Sequence, residues 1–154
     1  ALAFGPDGSL YAGGYFTTAG GVVANRIARW DGAQWHPLGS GMGEIYAPVN
    51  ALAVGPDGSL YAGGDFTTAG GIAASNIARW DGAQWHPLGS GVDSVVNALA
   101  VRPDGSLYAG GGFYTAGGTA ANRIARWDGA EWHPLDSGMD NQVKALAVGP
   151  GGGL

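Results

Sequence analysis

The sequence predicts an all-β fold of repeated four-stranded antiparallel sheets, and three observations carry that prediction. First, one run of residues is written three times and begun a fourth. Ala-Leu-Ala, Pro-Asp-Gly-Ser-Leu-Tyr-Ala-Gly-Gly, Ile-Ala-Arg-Trp-Asp-Gly and Trp-His-Pro-Leu recur in residues 1–50, 51–97 and 98–144, and residues 145–154 restart the run. Units of 50, 47 and 47 residues mark a stacked-repeat architecture. Second, no segment has the 3.6-residue apolar period that a helical array would need. Third, short apolar runs are punctuated by Asp-Gly pairs, which are strong hairpin signals.

The second unit shows how each element is assigned. Ala51-Leu52-Ala53-Val54 is wholly apolar and closes on Gly-Pro-Asp-Gly-Ser, as expected of an inner strand buried on both faces that enters a tight turn. Residues 60–66 form the second strand, where the pair Gly63-Gly64 leaves room for a neighbouring backbone or a large side chain. Residues 67–75, rich in Thr, Ala and Gly, read as a connection. Ile77-Ala78-Arg79-Trp80 is the third strand; it turns through Asp81-Gly82 into the fourth, Trp85-His86-Pro87-Leu88. Pro37, Pro87 and Pro134 lack the amide proton that a central ladder requires, so the fourth strand lies on the sheet edge. Four strands per unit, the first most apolar and the last an edge, describe propeller blades. Residues 1–50, 51–97 and 98–144 are then blades 1 to 3, and 145–154 is the inner strand of a fourth.

Composition narrows the function classes. With 31 Gly and 8 Pro the chain reaches the low-complexity range, but 45% hydrophobic residues and 6 Trp at fixed repeat positions require a packed core. A net charge of −5, from 7 basic and 12 acidic side chains, argues against nucleic acid and anionic membrane surfaces as partners. Without Cys there is neither a disulfide nor a thiolate metal site. No apolar run approaches a membrane span of ~20 residues. The chain opens without Met and stops inside a repeat, as a fragment or mature piece would.

The diglycines Gly13-Gly14, Gly63-Gly64 and Gly110-Gly111, the following Arg-Trp-Asp turn, and Trp35, Trp85 and Trp132 on the fourth strand resemble the kelch repeat. The phrase Ala-Val-Gly-Pro-Asp-Gly-Ser, with Gly-Gly-Asp-Phe-Thr-Thr-Ala-Gly-Gly and Asn-Ile-Ala-Arg, also resembles the bacterial delta-60 type of repeat. This resemblance covers essentially the whole chain. It implies a propeller serving as a binding platform, and an extracellular or cell-surface location. The cofactor ligands of the family's catalytic members have no counterpart here, so no active site and no cofactor are carried over.

Each chemically suggestive feature has a structural reading. His36, His86 and His133 occupy one repeat position, and equivalent positions diverge around a ring, so no metal site is expected from them. The turns at Asp7, Asp57 and Asp104 supply one carboxylate each, too few for calcium. Arg29, Arg79 and Arg126 are expected to be buried, paired with a blade Asp and stacked on an aromatic ring. The six tryptophans, which could stack on sugars, are assigned to packing between blades.

The units differ selectively. Units 2 and 3 agree at 35 of 47 positions. The turns joining strands one to two and three to four share one face, and it is nearly constant, with Arg102 and Glu131 as its departures. Most differences fall on the opposite face, formed by the loops joining strands two to three and by the linkers between units. They include Tyr15, Asp65 and Gly112; Thr17, Thr67 and Tyr114; Arg26, Asn76 and Arg123. The first linker adds three residues within 43–48, among them Glu44 and Tyr46. Loops on a rigid frame are where binding residues reside, so the candidate ligand site is Tyr15, Arg26, Tyr46, Asp65, Tyr114 and Arg123.

The expected function is a non-catalytic binding or structural scaffold for a protein or carbohydrate polymer. Near-identical blades offer three of everything, whereas acid, base and nucleophile need distinct environments. The alternative is a fragment of a carbohydrate-active propeller enzyme with its catalytic residues in other blades. Three blades do not close a ring of about 4–8. Further blades of a longer chain, or a second copy of this one, are expected to complete it.

Overall fold

The computed structural model describes residues 1–43 and 46–154; Glu44 and Ile45 of the 43–48 insertion lie outside the described residues. The chain is all-β. The first unit contains β1 (Leu2–Phe4), β2 (Leu10–Gly13), β3 (Thr18–Ala19), β4 (Val22–Val23), β5 (Ile27–Trp30) and β6 (Trp35–Pro37). The second contains β7 (Val49–Val54), β8 (Leu60–Gly64), β9 (Thr68–Ala69), β10 (Ile72–Ala73), β11 (Ile77–Trp80) and β12 (Trp85–Pro87). The third contains β13 (Val96–Val101), β14 (Leu107–Gly111), β15 (Thr115–Ala116), β16 (Thr119–Ala120), β17 (Ile124–Trp127) and β18 (Trp132–Pro134). Each unit forms one four-stranded sheet, ordered β1-β2-β5-β6, β7-β8-β11-β12 and β13-β14-β17-β18, every pair antiparallel. The proline-bearing strands are edges, as their missing amide protons require. The inner strands β1, β7 and β13 lie side by side.

One expectation is corrected. The 67–75 connection is not irregular: β9 and β10 pair as a small hairpin, as do β3–β4 and β15–β16. Their two-residue turns, Gly70-Gly71 in the second unit, have φ of +60° and +82°, which glycine supplies without steric cost. Ala145–Val148, expected as a fourth inner strand, forms no ladder among the described residues, while Val143 and Leu146 pack over Gly110 as Val96 and Leu99 pack over Gly63. A strand exists only through pairing, and the described residues include no second strand of a fourth sheet to pair with it.

The core lies between sheets. One cluster joins the first two units through Ile27, Leu38, Met42, Val49, Leu60, Phe66 and Trp85. An equivalent cluster joins the second and third through Ile77, Leu88, Val92, Val96, Leu107, Phe113 and Trp132. The diglycines make this approach possible. A Cβ on Gly63 would lie 2.5 Å from Val96 Cγ1, and one on Gly13 at the same distance from Val49. At the outer end, Trp85 Nε1 donates to the Leu38 carbonyl of the preceding unit at 2.9 Å, and Trp132 Nε1 donates to Leu88 likewise. Each third-strand Trp meets the fourth-strand Trp of its unit at 5.4–5.5 Å in a tilted pair. Trp85 and Trp132 therefore join their blades to the preceding ones, as expected from the sequence.

Removing one of these donors leaves a buried carbonyl unpaired, which costs about 1–3 kcal/mol. Trp85→Phe should lower unfolding stability in urea by that amount. Trp35→Phe, at the half-buried equivalent position in the first unit, should cost less. Equal losses would show that the bond to Leu38 adds nothing.

Candidate functional site

The rim carrying the hairpins is built by linkers that bind the next unit. Met42 bridges to Ala69, and Val92 bridges to Ala116, so each linker extends the following hairpin. Asp93 Oδ1 accepts the amides of Tyr114 and Thr115 at 2.8 and 2.9 Å. Those bonds favour the ionised carboxylate and, against the opposing effect of burial, hold it below its ordinary pKa.

On this frame the candidate residues fall into two groups and one outlier. Tyr15 and Tyr46 stack with centroids 6.3 Å apart and planes at 18°. The Arg26 guanidinium lies 5.4 Å from the Tyr15 centroid. Both tyrosines are exposed, at 61% and 78%, while Arg26 is buried and donates to the Phe16 carbonyl at 3.1 Å. In the third unit Arg123 lies 3.8 Å over the Tyr114 ring, and its Nη2 donates to the Tyr114 hydroxyl at 2.8 Å. Tyr15 and Tyr114 come from repeat positions two residues apart, yet each is held by the same Arg position. Asp65 joins neither stack; it is exposed, and its amide binds the Pro48 carbonyl.

Sequence reading missed the backbone under these arginines. Arg26 and Arg123 have φ of +69° and +75°, the left-handed region that disfavours an ordinary side chain. Asn76 holds the same position in the second unit at +65° and suits it better. Arg123 Nε is also shut off from solvent with no hydrogen-bond partner among the described residues. Backbone strain and an orphaned donor coincide at this one residue. The only sequence signal was that unit 2 manages with Asn.

The opposite face is occupied by turn chemistry. Arg29 binds Asp7 at 2.7 Å, and Arg79 lies 3.7 Å from Asp57 and donates to Ser59 Oγ at 3.2 Å. These arginines pair as expected but are about one-third exposed rather than buried, because the Asp turn sits at the sheet end. The cation–π contacts belong instead to Arg26 and Arg123. Each histidine binds the aspartate of its own hairpin, His36–Asp31, His86–Asp81 and His133–Asp128, at 2.6 Å. The histidines do not converge on one another. Glu131 stands where units 1 and 2 have Gln34 and Gln84, so Asp128, Glu131 and His133 offer ligand atoms within 4.8 Å of one another. They are carried on an exposed turn.

The chain matches the model of a family described as "Domain of unknown function (DUF5122) beta-propeller" over residues 5–30, 55–80 and 102–127, the same stretch of each unit. No curated protein matches it. Among solved structures it resembles the extracellular domain of BT4673 from B. thetaiotaomicron, described as a one-component system, with TM-score 0.63 and 11% identity. The match covers 99% of this chain and 19% of that one. At that identity the likeness concerns fold.

Two outcomes follow from this geometry. Arg123→Asn should leave the urea midpoint unchanged or raised, since it relieves strain, whereas Arg26→Asn should cost about 1 kcal/mol through the lost Phe16 bond. A large loss at Arg123 would make it a structural residue. The second outcome concerns acid. Asp81 is held well below its ordinary 3.8 first by His86, then by the Gln84 and Ala83 amides. A folded pKa below the unfolded one gives stability that is present above pH about 4 and lost as pH falls further. Replacing Asp31, Asp81 and Asp128 by Asn should flatten the fall of Tm below pH 4; an unaltered profile would locate acid sensitivity elsewhere.

Proposed function

The chain belongs to the DUF5122 β-propeller family, and on that premise we propose that it is a non-catalytic binding module whose hairpin rim engages a polymer through exposed tyrosines. The observation that carries this reading is the pair of Arg-supported stacks, Tyr15–Tyr46 with Arg26 and Tyr114 with Arg123, set on otherwise near-identical blades. Amphipathic rings fixed from behind by a guanidinium present a rigid face at low entropic cost, as recognition surfaces do. Two such faces separated by the second unit suit a chain-like ligand, protein or carbohydrate, that touches both and gains by avidity. Asp65 lies on the rim between them as a polar contact.

The absence of catalysis is part of the proposal. Its support is that the aspartates with lowered pKa act as acceptors in turns and linkers, repeated from unit to unit, rather than forming an acid and base of different environment. An extracellular location is supported by the description of the structural neighbour as an extracellular domain. The diglycine and tryptophan positions support kelch-like blades. Leu2 and Phe4 of β1 are about 70% exposed, an apolar face that a further blade, from a longer chain or a second copy, would cover.

The test is a glycan and peptide array followed by titration of the polymer it identifies. Tyr46→Ala combined with Tyr114→Ala should weaken binding at least about tenfold, as loss of aromatic anchors does. Unchanged affinity, with loss instead on altering the Pro-Asp-Gly turns, would overturn the assignment.

A further inference from the structure

The inner turns of the three units share one device. An aspartate carboxylate accepts the amide two residues on, Asp7 from Ser9, Asp57 from Ser59 and Asp104 from Ser106, at 2.9–3.0 Å. Around it the backbone closes through Gly5 to Ser9, Gly55 to Ser59 and Arg102 to Ser106. The fourth copy of this turn, at 149–153, keeps that frame. Gly149 N donates to the Gly153 carbonyl at 2.7 Å, Gly152 N donates to Gly149 at 2.9 Å, and Gly152 has φ +75° against +81° at Gly58. It has lost the carboxylate, because Gly151 stands where the others carry Asp, and Gly153 replaces Ser. The amide of Gly153 therefore faces a position that its own turn no longer fills.

The neighbouring blade has changed at the same corner. Adjacent turns touch: a Cβ on Gly58 would meet Pro6, and one on Gly105 would meet Pro56. At the next junction the residue before the proline is Arg102, where units 1 and 2 have Gly5 and Gly55. Its Nη2 lies 3.5 Å from the Cβ position of Gly152, and its Nε is buried with no hydrogen-bond partner among the described residues. Its Nη1 is held by the Tyr108 hydroxyl at 3.3 Å. Arg102, Pro103, Asp104, Pro150, Gly151 and Gly152 line a cavity of about 350 Å³. Asp104 is engaged by Ser106 and lies in the field of both Arg102 and Arg126. A lost anion and a gained cation meet at one place.

We propose that the 149–153 turn and Arg102 together bind a carboxylate ligand, in the position that Asp7, Asp57 and Asp104 occupy in the other turns. The donors are the Gly153 amide and the Arg102 guanidinium, a charge-assisted pairing. Acetate is the side chain of aspartate without its backbone, so Gly151 plus acetate rebuilds the repeat. This site lies on the face opposite the tyrosine rim and is independent of it.

The test is amide and guanidinium NMR of the full chain during titration with acetate at neutral pH, with sodium chloride at matched ionic strength as control. Saturable shifts at Gly153 and at Arg102 Nε are expected with acetate and not with chloride. Gly151→Asp supplies the carboxylate internally, and Arg102→Gly restores the residue of units 1 and 2. Each is the repeat's own residue, so both should fold, and each should weaken acetate at least about tenfold, as loss of a charged hydrogen bond does. Titration with a polyuronate at equal carboxylate concentration separates sources: tighter binding assigns a polymer-borne carboxylate, equal or weaker binding a free acid. Equal response to chloride, or acetate shifts that persist in Gly151→Asp, would overturn the proposal.

Discussion

Everything else in the structure rests on how closely one blade can approach the next. At Gly13, Gly63 and Gly110 the absence of a side chain lets Val49, Val96 and Val143 settle against the neighbouring sheet, closer than any Cβ would permit. At the outer end the indole of Trp85 or Trp132 reaches back to a buried carbonyl. Val143 takes its place over Gly110 although its segment forms no strand, and its amide binds the Gly111 carbonyl.

Because identical residues carry that contact in every unit, the exposed positions of the loops are free to differ. The rim uses this freedom unequally. Two units place arginine on a left-handed backbone and set a tyrosine against it, whereas the middle unit places asparagine there and leaves its rim polar. A frame that tolerates either choice can vary its rim without altering its core.

Strand order, the edge position of the proline strands, the use of the glycine pairs and the role of the tryptophans were all legible in the sequence, because each follows from one residue type recurring at a fixed offset. The face bearing Tyr15, Tyr46 and Tyr114 was legible from where the copies disagree. The pairing of Tyr15 with Tyr46 was not, since it depends on the path of a linker longer than the others. Nor was the left-handed arginine, because backbone strain leaves no trace in composition. The small hairpins were hidden by their length: two residues per strand give no alternation to detect. Arg29 and Arg79 were misjudged as buried because their strand is buried at Ile27-Ala28 and Ile77-Ala78 but opens to solvent toward its turn.

Sharing each core between consecutive units also governs how the fold comes apart. No unit owns a complete apolar interior: Trp85 and Phe66 belong to the first junction, Trp132 and Phe113 to the second. Cooperativity is therefore one-dimensional, carried from neighbour to neighbour. The second unit contributes apolar residues to both clusters, so amide exchange in its sheet reports the opening of a neighbour.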